Sequence, residues 1–238
     1  MKNTFKMAAL MLCAAIVMAS CNCKTSCKSN ENKLAQFEKA ATEFKATLDP
    51  SNKILGERID TIVQKVFYLV PDPEGANANY IQDIRMHDYA TNGDLSVLPQ
   101  PISGIYEELP DVQLAKEMGV EFCCFNLQYR YSELIGDRLF FLIHAECSFD
   151  TETSLLYYVD VNDNSLHYVA ECDEVEFDKA NASMTIHKQL LKQAGEDLEL
   201  TYNLSASLSD EEYAANRKEN QEKEEQMVEK WREENVEE

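Results

Sequence analysis

From residue 160 the chain reads Asp-Val-Asn-Asp-Asn-Ser-Leu-His-Tyr-Val-Ala-Glu. Asp160, Asn162 and Asn164 alternate, and Glu171 closes the stretch. Side-chain oxygens at that spacing are the donors a hard divalent cation takes. A second group is His144 and Glu146, two residues apart on an expected strand and so on one face, with His167 near them. Imidazole and carboxylate together suit zinc; the competing reading is polar residues scattered on a solvent face. His87-Asp88 stands alone. No nucleophile elbow, phosphate loop, HExxH or CxxC occurs. Nothing assembles a nucleophile, a base and oxyanion donors, so no catalytic residue and no cofactor is expected.

The first group resembles the calcium loop of EF-hand proteins. Asp160, Asn162, Asn164 and Glu171 fall at its positions one, three, five and twelve, and the resemblance implies calcium there. Ser165 stands where that family has glycine, and the flanks alternate as strands where it has helices. The same Asn and Asp residues suit a hairpin turn, because both tolerate left-handed backbone.

Eight cysteines are present. Cys23 and Cys27 can close locally. Cys123 and Cys124 are adjacent on an expected strand and point to opposite faces. With tight turns setting the register, Leu156 falls opposite Cys147 and Val169, which disfavours a bond between Cys147 and Cys172. Buried free thiols and disulfides both stay open for this set.

Lys2 and Lys6 precede an uncharged run from Met7 to Ala19. As a helix it would be about 20 Å long, too short for a bilayer core but right for a signal-peptide core. Met18-Ala19-Ser20-Cys21 follows. The tetrapeptide resembles the lipobox of bacterial lipoproteins, with Met18 in place of the more usual leucine. The resemblance covers the first 21 residues. It implies cleavage before Cys21, lipidation of Cys21, and attachment to a membrane through the acyl chains. Asn22 is not the aspartate that retains some of these proteins at the inner membrane, so the expected address is the outer membrane of the bacterial cell envelope.

The net charge is −21, and residues 1–20 contain two lysines and no acid, so the remainder is two units more negative. That excess repels phosphate backbones and argues against nucleic-acid binding. It also repels anionic lipid headgroups, which leaves membrane attachment to a lipid anchor. A charged partner would be a basic protein or a metal cation, and an envelope protein is the expected kind.

The elements read as follows. Residues 1–20 are the signal and 21–32 a polar tether. Leu34, Phe37, Ala41, Phe44 and Leu48 mark one helix, ended by Asp49-Pro50. Leu55, Ile59, Ile62, Val63 and Val66 have helical spacing and predict a second. Residues 80–90 fit neither period, 91–110 read as loop, and Asp111–Met118 as a short helix. From Val120 six strands follow, read as 125–131, 139–149, 155–161, 166–177, 183–191 and 198–204. Ser209 caps a closing helix rich in acid, expected to be solvated. The expected fold class is α+β: residues 33–205 as one domain, with N-terminal helices packed on a roughly six-stranded antiparallel meander, and 206–238 as an acidic helical tail. Closure of the sheet into a small barrel is the alternative. Together these imply a non-enzymatic binding or interaction module of the envelope. A carrier of an apolar ligand in a curled sheet, and a metal-dependent hydrolase, are the other readings.

Overall fold

The computed structural model describes residues 30–99, 125–147, 152–191, 195–196 and 198–235. Cys21, the other cysteines before residue 125 and the expected 111–118 helix lie outside them. The class is α+β: among the described residues, three antiparallel sheets with one helix before them and one after.

Helix α1 covers residues 30–45. It is followed by β1 (Lys53–Ile59), β2 (Gln64–Pro71), β3 (Ile81–Asp88) and β4 (Gly93–Ser96), which form the first sheet in that order. The second sheet is β5 (Phe125–Ile135), β6 (Arg138–Cys147), β7 (Glu152–Asp160) and β8 (Leu166–Glu171). The third is β9 (Glu174–Asp178), β10 (Ser183–Leu190) and β11 (Leu198–Ser205), with β10 in the middle. Helix α2 (Asp210–Asn235) closes the chain.

The second helix expected from residues 55–66 is instead the β1–β2 hairpin. Asp60 makes its turn, accepting the Ile62 and Val63 N–H groups at 2.6 and 2.8 Å. Ile62, a core position in the helical reading, is 77% exposed at the hairpin tip. The sequence misleads because β2 is buried on both faces from Gln64 to Leu69. Its apolar residues therefore run on without alternation and match helical spacing by accident. β-branched Ile54, Ile59 and Val66 fit the pleated backbone. Gly56 sits at a bulge where a Cβ would meet Leu139 Cδ1 at 2.8 Å, so the first sheet rests its backbone on the second.

The expected six-strand meander is two sheets, not one. The chain leaves the second sheet at Cys172-Asp173. Cys172 N–H donates to Ser154 O, while Asp173 N–H donates to His187 O in the third sheet. The Asp173 carboxylate then accepts Gln189 N–H at 2.7 Å. Two strands thus replace the single 166–177 strand. The register differs too: Leu156 lies opposite Leu142 and Ala170, and Cys147 opposite Phe125.

The second sheet is the middle layer. One of its faces (Leu139, Phe141, Ile143, Leu155, Tyr157, Val159) packs on Phe67, Leu69, Ile84 and Met86 of the first sheet. The other (Phe140, Leu142, Leu156, Tyr158) packs on Met184, Ile186 and Leu204 of the third sheet and on Tyr213 of α2. Helix α1 covers the outer face of the first sheet through Phe37, Ala41 and Phe44 against Val66 and Tyr89. Cover thus comes chiefly from other sheets, not from N-terminal helices.

One turn recurs three times. Asp88, Asp160 and Asp178 each accept the N–H two residues on (Ala90, Asn162, Ala180). Four residues after each aspartate the backbone is left-handed, at Asn92, Asn164 and Ala182 (φ 55°, 67° and 47°). The stretch that resembles a calcium loop is the second of these hairpin turns.

Candidate functional site

Asp160, Asn162 and Asn164 are brought together by this turn, and a cation of the protein already faces its oxygens. Lys65 reaches across from β2 and donates to Val161 O at 2.5 Å, Asn164 Oδ1 at 2.8 Å and Asn162 O at 3.3 Å. Burial pulls the Lys65 ammonium below its ordinary range, against Asp88, Asp160 and Asp163, which favour its charge. Asp160 Oδ1 is engaged by the N–H and side-chain amide of Asn162. Glu171 belongs to another cluster: it accepts from Thr153 Oγ1 at 2.8 Å and Lys188 Nζ at 3.3 Å. Among the described residues no group of three His, Cys, Asp or Glu is placed to hold a metal ion.

His144 and His167 share the face toward the third sheet but stand apart. His167 pairs with Tyr158 and through it with Phe140, four residues from His144 along β6, or about 13 Å at strand rise. His144 Nδ1 meets Ser154 Oγ at 3.0 Å. His167 is held between Ser165 Oγ and Asp210 Oδ2, at 2.5 and 2.7 Å, and stacks on Tyr158. His87 is buried under α1, stacked on Phe44 with ring centroids 3.7 Å apart, and its Nδ1 has no hydrogen-bond partner. Cys172 is a buried free thiol. Burial, with Asp173 and Glu171 nearby, pushes it up to about 12, so it is not a thiolate at neutral pH.

A polar concavity that no sequence motif marks lies between α2 and the two sheets it touches. Ser209 starts the helix with a capping box: Glu212 N–H donates to Ser209 Oγ, and Ser209 N–H to Glu212 Oε2. Tyr213, fully buried, donates to Ser205 O. Arg138 donates to Ala206 O and Leu208 O and lies over the Tyr158 ring. Arg217, from α2, donates to Tyr168 O and Val169 O at 3.0 and 3.1 Å and lies over the Tyr168 ring.

Beyond Arg217 a cavity of about 300 Å³ opens, lined by Tyr168, Lys188, Tyr202, Arg217, Asn220 and Glu224. Lys188 Nζ bonds Glu224 at 2.8 Å and Glu171 at 3.3 Å. Burial works against its charge, but Glu171 and Glu224 outweigh it and raise its pKa. Lys188 is therefore a permanent ammonium and not an amine nucleophile. Burial likewise raises the Tyr168 and Tyr202 phenols, which stay protonated donors. A wider groove of about 600 Å³ continues past Leu190 and Val228. What this arrangement does chemically is clamp the helix, through the Lys188 ion pairs and the Arg217 bonds to carbonyls, and present neutral donors; no sequence motif marks Lys188 or Arg217.

Compared with family models, curated proteins and solved structures, the chain shows no significant match.

Proposed function

We propose that the protein is an exported lipoprotein, held on the outer membrane of a bacterial envelope through acyl chains on Cys21, and that it works there as a binding or interaction module. The observation that carries the reading is the uncharged run from Met7 to Ala19 ending in Met18-Ala19-Ser20-Cys21. Two or three acyl chains, at about 0.8 kcal/mol per buried methylene, hold a protein durably. Among the described residues no helix is long and apolar enough to cross a membrane. The acidic surface supports a protein partner over nucleic acid. The test is mass spectrometry of the native N-terminus with fractionation of Cys21→Ser. Acylated Cys21 as the first residue, and release of the variant from the membrane pellet, are expected. An intact Met1, or a first residue at position 21 without acyl mass, refutes the reading.

A further inference from the structure

Among the described residues three sheets leave six edge strands, and five of them carry a device that prevents further pairing. β4 has four residues and carries Asp94. β9 has five and carries Glu174, Glu176 and Asp178. β1 is bulged at Gly56. β5 is bulged at Tyr129–Tyr131 and donates its Tyr129 N–H to Asn79 O. β8 has its Tyr168 and Val169 carbonyls taken by Arg217. Such blunting is how folded proteins keep sheet edges from adding strands.

β11 is the exception. It pairs with β10 over eight consecutive residues without a register shift, and no described strand lies on its other side. It contains no proline, lysine or arginine, and its single charged residue is Glu199, against the shorter length of β4 and the three acids of β9. The bond from Ala206 N–H to Ala182 O fixes which groups face out. With Ser183 opposite Ser205, the even-numbered residues 198–204 bond to β10. The N–H and C=O groups of Glu199, Thr201 and Asn203 therefore point off the sheet. Ser205 O also points outward, and there the Tyr213 hydroxyl caps it. The side chains of Glu199, Thr201 and Asn203 are exposed.

We propose that two copies of this chain pair through β11, antiparallel about a two-fold axis at Thr201, and fuse their third sheets into one six-stranded sheet. The strand is self-complementary in that register. Thr201 meets Thr201 of the second copy, Leu200 meets Tyr202, and Leu198 meets Leu204, so apolar residues share the inner face. Glu199 meets Asn203. Glu199 accepts from His187 and Thr201 on Oε1, so Oε2 can accept the Asn203 amide. Asn203 uses its Oδ1 for Thr185, which keeps that amide N–H available. No like charges stand opposite each other, and the register stops short of the capped Ser205 carbonyl. An isologous pair of this kind is closed and does not propagate. Net repulsion between two acidic copies is long-range and screened within about 8 Å at physiological salt, so salt tightens the pair.

The test uses the full chain in whichever cell fraction holds it, so failure of the lipid anchor and failure of this pairing are separate results. In a hydrogen-bonded antiparallel pair the opposed Cα atoms are about 5.5 Å apart, within disulfide reach. Under mild oxidation Thr201→Cys is expected to yield a reducible band at twice the chain mass, well above that of the parent. Asn203→Cys alone is not, but Asn203→Cys together with Glu199→Cys is. That mixed pair keeps the test alive if Thr201→Cys misfolds. Thr201→Lys sets two ammonium groups face to face and is expected to weaken self-association in sedimentation roughly tenfold. Overturning results are no band above the parent's from either combination, strongest cross-linking from Asn203→Cys alone, or a band whose mass requires a different protein.

Discussion

Lys65→Met tests whether an internal ammonium organises the 160–165 turn. Methionine keeps most of the apolar body of the side chain, one atom shorter, and removes the charge. Lys65 is 8% exposed, and two of its bonds, to Val161 O and Asn164 Oδ1, are 2.8 Å or shorter. A hydrogen bond to a charged group contributes about 1.5–3 kcal/mol, and an orphaned buried acceptor costs about 1–3 kcal/mol. Against this, the variant is spared the burial of an ammonium, a cost reflected in the lowered pKa of Lys65. The balance is a loss of about 2 kcal/mol, or a Tm lower by roughly 4–8 °C for a chain of this size. The sign of the pH dependence follows from the direction of the shift. The folded lysine gives up its proton more readily than the unfolded one, so the parent gains stability as pH rises toward about 10.5. The variant lacks that gain, and the gap between the two widens in alkali. Urea unfolding followed by circular dichroism, at neutral and alkaline pH, reads both. An unchanged midpoint, or a gap that closes in alkali, refutes the reasoning. Because Lys65 fills the turn, millimolar calcium is expected to leave the parent's Tm where it is; a rise would show that a metal displaces the lysine.

Lys188→Met leaves Glu171 and Glu224 facing each other without their cation, and is expected to cost about 3 kcal/mol in urea unfolding at neutral pH. The raised pKa of Lys188 means that its own contribution is complete below about pH 10.5 and is lost only above it. Ala182→Gly relieves a left-handed alanine and is expected to raise stability by about 1 kcal/mol; a loss would mean that Ala182's packing outweighs its backbone. Gly56→Ala drives a methyl against fully buried Leu139 and is expected to cost about 1–3 kcal/mol by the same measurement. His87 is held neutral, chiefly by burial, so the parent loses stability as pH falls through about 6.5 and below. His87→Phe keeps a ring under Phe44, and its melting temperature is expected to fall less over that range.

The parts legible in the sequence are those where one face is wet. β11 alternates Leu198, Leu200, Tyr202 and Leu204 against Glu199, Thr201 and Asn203, and its burial alternates in step. The stripe of α1 and the Ser209 cap read correctly for the same reason: each has a dry side and a wet side, or a terminus that must satisfy its own N–H groups. Where both faces are dry, the period disappears. β2 lay hidden in that way, and the run from Leu139 to Ala145 showed apolar residues without showing that two sheets would cover them. The break at Cys172-Asp173 carries neither glycine nor proline. It is made by a side chain accepting a backbone N–H across the sheets, which no local pattern announces. The Asp160 turn was legible as a turn, but its lysine comes from ninety-five residues earlier. The α2 cavity is likewise built around Lys188 of β10, which meets Glu171 of β8 and Glu224 of α2 only once these elements have packed together.

The doubly covered middle sheet also governs what a nick in the chain would leave behind. A fragment ending before Cys172 keeps all of β5–β8 but loses the cover over Phe140, Leu142, Leu156 and Tyr158, and a fragment beginning after α1 and the first sheet bares the opposite side. Either remnant would offer an apolar slab to its neighbours, so clipped molecules should precipitate or be degraded rather than persist as working halves.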